Sequence, residues 1–95
     1  MLTLPIKGRW YQMILDRIKR EEYRDDTPYY AARFERYEGK LVPVRLRNGY
    51  SKTSPSAICE IIPTRRAGRH NPMWGGEPSK TCWVLSIISI REEQT

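Results

Sequence analysis

Ninety-five residues allow one small domain, and a chain of this size buries roughly 60–70% of the surface it exposes when unfolded. With 39% hydrophobic and 29% charged residues, the composition excludes a disordered tail, a collagen-like chain and a membrane span. The 17 Lys and Arg against 11 Asp and Glu give a formal net charge of +6, which favours an anionic partner, nucleic acid first among them.

Leu2, Leu4 and Ile6 alternate with other residues, the period-2 pattern of a short strand. That run is too short, and too soon followed by Lys7, to be a signal peptide, so a cytoplasmic protein without membrane attachment is expected. Trp10, Met13, Ile14, Arg17 and Ile18 then share one helical face, predicting a helix over about residues 8–17. Residues 19–25, KREEYRD, carry no apolar stripe. They read either as a solvated face or as a charged strand lining a polar cleft.

Thr27-Pro28 is a helix start, because Thr caps and Pro is tolerated in the first turn. Tyr30, Phe34 and Tyr37 recur at helical spacing before Gly39, which predicts a second helix over about residues 28–37. Its other side carries Tyr29, Arg33 and Arg36.

From Lys40 the pattern turns to strands. Leu41, Val42, Val44 and Leu46 form one, with Arg45 and Arg47 on the face opposite Val44 and Leu46 and with Pro43 marking an edge or a bulge. Asn48-Gly49 signals a turn. Residues 57–62 read as a buried strand ending at Pro63, residues 64–79 as a long Gly-, Pro- and Arg-rich loop, and residues 81–90 as a long central strand before a charged tail, REEQT. Cys59 and Cys82 stand in apolar runs without C-x-x-C spacing, as small buried residues do, and His70 is the single histidine. No metal or other cofactor is expected. The element order predicts one α+β domain over residues 1–95, a small barrel flanked by helices.

The run Ile6-Lys7, Trp10, Met13-Ile14 and then Lys19-x-x-Glu22-x-Arg24 resembles the ASCH family, small domains related to the PUA RNA-binding fold. Their motif reads G-x-K-x-x-E-x-R, and here Arg17 replaces the leading Gly. Tyr29 to Phe34, the segment Arg47-Asn48-Gly49-Tyr50 and the stretch from Trp74 to Pro78 also look like phage and prophage members. The resemblance implies a PUA-like mixed β-barrel of five or six strands with two flanking helices. It also implies a cleft lined by Lys19, Glu22 and Arg24 that binds RNA or a modified nucleoside.

Some relatives are enzymes, ribonucleases or amidohydrolases of acetylated cytidine, which makes Lys19 and Glu22 the candidate catalytic pair. The amidohydrolase branch has Thr where this chain has Glu22, and Glu60 and Glu77 are both open as a third, acidic member. A protein-interaction module, such as a phage factor, is the remaining alternative.

Nucleic-acid binding needs cations for phosphate and flat side chains for bases. Lys7, Arg9, Lys19, Arg20, Arg24, Arg45, Arg47, Arg65, Arg66 and Arg69 supply the first, Tyr29, Tyr50 and Trp74 the second, and Glu22 an acceptor. Trp74 has a second reading, as a plug at one end of the barrel. Single-stranded or looped RNA suits such a surface better than duplex.

Overall fold

Alternating apolar residues make β1 (Leu2–Ile6) an edge strand, with Leu4 and Ile6 buried and Pro5 exposed. The structure, a computed structural model, describes residues 1–93. Helix α1 (Gly8–Leu15) follows, then β2 (Glu21–Asp25), α2 (Pro28–Phe34) with a closing 3-10 turn at Glu35–Tyr37, β3 (Val42–Asn48), β4 (Ser56–Ala67), a 3-10 turn at Pro72–Trp74, and β5 (Thr81–Glu92). The five strands form one mixed sheet in the order β1-β3-β4-β5-β2, parallel only between β1 and β3. This is an α+β fold with a five-stranded sheet, and no helix among the described residues is long and apolar enough to cross a membrane.

The sheet curls into a half-barrel. Arg24, on one edge strand, donates from Nη2 to the Pro5 carbonyl on the opposite edge strand at 2.8 Å. The two edges therefore face each other across an open seam that a guanidinium bridges. A bulge at Ile88 assists the curl, because the register passes from Glu60↔Ser89 to Ile61↔Ile87.

Inside lie Leu4, Val44, Leu46, Cys59, Ile61, Trp83 and Leu85, closed by Tyr11 and Ile14 of α1 and Phe34 of α2. The opposite face of β2 and β5 is covered by the loop after β4, whose buried His70 packs on Tyr23 and Cys82. The imidazole nitrogens of His70 lie 2.9 and 3.0 Å from the carbonyls of Glu77 and Arg66, so the ring sits between the two ends of the loop.

Several predicted boundaries move, each for a local reason. Helix α1 stops at Leu15 rather than residue 17, because Arg17 takes φ 60 and the amides of Ile18 and Lys19 both turn back to the Met13 carbonyl. Its buried face is Tyr11 and Ile14, while Ile18 is exposed. Helix α2 begins as expected, with the Thr27 hydroxyl accepting from the Tyr30 amide, but its last turn is 3-10.

Pro43 sits in an interior strand, yet β1 pairs with β3 only from Val44 onward, so its missing N–H faces no partner. Pro63 does not end β4. Pairing with β3 finishes at Ile61, so proline is tolerated and the strand runs on to Ala67. The long loop therefore spans residues 68–80 rather than 64–79, and β5 continues past residue 90 through Arg91 and Glu92. The last two residues of the REEQT tail lie outside the described residues.

The C-terminal end of the sheet is stapled by charge. Glu93 Oε1 accepts from Arg45 Nε at 2.7 Å and from Ser56 Oγ at 2.6 Å. Those hydrogen bonds, the Arg45 one foremost, hold the Glu93 carboxyl down at about 2. A depressed carboxyl contributes stability that is full above its ordinary value of 4.5 and is lost as pH falls through about 2. The melting temperature is therefore expected to fall between these values, and the fall to be shallower in Glu93→Gln. Equal slopes by differential scanning calorimetry would remove the staple from the account.

Candidate functional site

The charged strand β2 divides its side chains by simple alternation. Glu22 and Arg24 turn toward the interior and the seam, while Glu21 and Tyr23 turn toward the 68–80 loop. Of residues 19–25, Glu21–Asp25 thus take the charged-strand reading, with Lys19 and Arg20 just before the strand.

Glu22 is 6% exposed and Lys19 1% exposed, values that unpaired ions do not reach. Both are paired. Glu22 Oε2 accepts from Arg24 Nε at 3.0 Å and from Nη2 at 2.7 Å, and Oε1 lies 3.3 Å from Lys19 Nζ. Arg24 also donates from Nη1 to the Tyr30 hydroxyl at 3.2 Å.

Lys19 is enclosed on its remaining sides. Its ammonium donates to the Trp74 carbonyl and lies 5.0 Å from the Trp10 ring centre and 5.1 Å from that of Tyr23. Burial pulls the Lys19 pKa below its ordinary value against the opposing pull of Glu22. For Arg24, burial pulls downward as well, but Glu22 and Tyr30 outweigh it and the guanidinium is held more firmly charged. Two cations and one anion leave this buried trio with an excess positive charge.

Glu22 and Arg24 open onto a cleft of about 570 Å³ at the seam. Its other walls come from the β1–α1 junction (Pro5 to Gly8), from Trp10 and Tyr30, and from the turn Asn48-Gly49-Tyr50. Gly49 takes φ 125, so the Asn-Gly pair makes a tight turn there. Tyr50 is 91% exposed, an aromatic face held out beside the cleft with no part in the core. Volume, aromatic walls and a few convergent charged groups are the attributes of a small-molecule pocket.

The predicted site residues do not all gather here. Lys7, Glu22, Arg24 and Tyr50 line the cleft, and Lys19 sits behind it, under Trp10. Arg20, Arg66, Arg69 and Trp74 line a second depression on the loop side. Trp74 is half-buried on that lip; the tryptophan that fills the core is Trp83.

The others are scattered. Tyr29 carries the Arg33 guanidinium 3.4 Å from its ring centre on α2, Arg45 is taken by Glu93, and Arg65 pairs with Asp26 and lies over the Trp83 ring. Arg9 lies over the Trp10 ring, and Arg47 is on β3 with its Nε buried and unpartnered. Of the two carboxylates open as a third member, Glu60 accepts from Ser89 and Glu77 pairs with Lys80, and neither lines the cleft.

Trp10, Tyr30 and Asn48 are site residues that the sequence offered only as core or turn. Trp10 and Tyr30 obey helical spacing like any core aromatic, and nothing local marks the side that faces the seam. Among the described residues, no group of three His, Cys, Asp or Glu could hold a metal ion.

Compared with known proteins, the chain matches no family model, no curated protein and no solved structure.

Proposed function

We propose that this protein is a PUA-like, ASCH-type module that binds a nucleoside of RNA, standard or modified, in the seam cleft. The observation that carries the reading is the Lys19–Glu22–Arg24 trio, net positive and largely buried, beside a pocket walled by Trp10, Tyr30 and the exposed Tyr50. A nucleobase presents a flat ring with donors and acceptors on its edge, and its sugar carries phosphate. The aromatic walls suit the ring, Glu22 and Arg24 offer an acceptor beside donors, and Lys7 at the mouth suits the phosphate.

Binding is favoured over bond breaking by the position of Lys19. Lys19 is 1% exposed and does not line the cleft, whereas Glu22 and Arg24 do, so its ammonium serves to hold the cleft wall rather than to reach a substrate. On this reading Lys19 is a positioning residue, and Glu22 and Arg24 are the groups that touch ligand.

Calorimetric titration with the four ribonucleosides and N4-acetylcytidine tests the proposal. At least one is expected to bind saturably, and Tyr50→Ala to weaken it by about tenfold, the lower range for losing one stacking platform. Lys7→Ala is expected to weaken the matching 5′-monophosphate and not the nucleoside, which has no phosphate. Both side chains are exposed, so the melting temperature should not move. Absence of saturable binding, or binding indifferent to both substitutions, overturns the reading.

A further inference from the structure

On the other side of the cleft wall, a second depression of about 590 Å³ lies between β2, β5 and the 68–80 loop, lined among others by Arg20, Arg66, Arg69, Trp74 and Ser86. It adjoins a smaller, more enclosed hollow of about 330 Å³ that holds Arg17 and Ser89, the two sharing Arg20 and Ile87. The two hollows meet at Arg20 and Ile87, and the furrow they outline carries four arginines.

Its charge is unbalanced. Glu21 is taken by Arg66, with Nη2 2.9 Å from Oε1, and burial of that carboxyl is outweighed by hydrogen bonds from Arg66 and Tyr23 that keep it ionised. Among the described residues, Arg17, Arg20 and Arg69 have no ion-pair partner.

Backbone geometry singles out the same face. Arg17 (φ 60) and Arg69 (φ 56) are the two non-glycine residues with positive φ among the described residues, and both line the furrow. That conformation favours glycine, so two long cations held there mark a surface where charge is placed at some conformational expense. The furrow is also physically joined to the cleft. Gly75 packs so closely on Trp10 that a Cβ would lie 3.2 Å from its ring, and the neighbouring Trp74 carbonyl is held by Lys19. One wall thus has the nucleoside cleft on one side and Trp74 with the arginines on the other.

We infer that this furrow binds the phosphodiester backbone of single-stranded RNA, so that the nucleoside in the cleft is read as part of a chain rather than as a free metabolite. The inference rests on the nucleoside reading of the cleft and specifies its ligand. Arg17, Arg20 and Arg69 meet successive phosphates, Trp74 offers a stacking face, and Lys19 fixes the wall between the two compartments.

The test compares a random pool of single-stranded RNA octanucleotides with the free nucleosides, on wild type and on Arg20→Ala/Arg69→Gly. Glycine suits the backbone at residue 69 and Arg20 is exposed, so the variant is expected to fold with an unchanged melting temperature. The octanucleotides are expected to bind wild type at least tenfold more tightly than any nucleoside. The double substitution should remove that gain and flatten the slope of log K against log salt by about 1.4, while leaving nucleoside affinity intact.

A gain that survives in the variant overturns the furrow, as do octanucleotides that bind no better than nucleosides. Octanucleotide binding that the variant loses, without any nucleoside binding, supports the furrow and overturns the cleft. No binding of either overturns both.

Discussion

Glu22→Ala is expected to destabilise the protein by about 3–5 kcal/mol, the range for removing one partner of a buried ion pair and stranding the other. Here two cations are stranded, Lys19 at 1% and Arg24 at 11% side-chain exposure. Against the roughly 5–15 kcal/mol that stabilise a domain, this is a large share. Lys19→Met should cost less than Glu22→Ala, because Glu22 keeps its two contacts with Arg24 and an apolar side chain fills the space between Trp10 and Tyr23.

Urea denaturation followed by far-ultraviolet circular dichroism gives both values. Loss of under about 1 kcal/mol in Glu22→Ala would mean that the trio is screened like a surface pair, and the electrostatic argument for the cleft would fall with it.

Trp83→Ala is expected to cost a further comparable amount, about 3–5 kcal/mol, by opening a cavity at the middle of the sheet. The side chain has no exposed surface, packs at a 49° tilt with its ring centre 5.9 Å from that of Phe34 in α2, and carries the Arg65 guanidinium over its ring at 4.8 Å. Its indole N–H is buried without a partner. Trp83→Phe removes that orphan donor together with part of the ring, so its cost should be well below that of alanine. If the two substitutions cost the same by denaturation, the N–H has a partner, or the ring is not what holds α2 to the sheet.

The strands with one apolar face were legible because their period is 2. Val44 and Leu46 inward with Arg45 and Arg47 outward follow from sequence alone, as does the Thr27-Pro28 helix start. Features that depend on a neighbour were not. Pro63 reads as a stop until the short reach of β3 leaves its nitrogen without a partner, and residues 64–67 gain strand character only by pairing with β5. Arg17 ends α1 in a conformation for which glycine is the usual signal, and only its place at the Gly position of the resembled motif pointed to it.

The site was legible in a similar fraction. The K-x-x-E-x-R spacing puts Glu22 and Arg24 on one side of a strand, two residues apart, and that much follows from alternation. Lys7 and Tyr50 come beside them only because the sheet curls and Arg24 spans its seam, a long-range closure no local pattern encodes. The furrow arginines were visible as charge, but their separation from the cleft was not.

The most direct test of the central claim is a 1H–15N NMR titration with the tightest-binding nucleoside from the calorimetric set. The account predicts shifts of the Trp10 indole N–H and of the Gly8, Gly49 and Tyr50 amides, all at the cleft, with the Trp83 indole unmoved in the core. Shifts confined to the far side of the molecule, or none at saturating nucleoside, would contradict it.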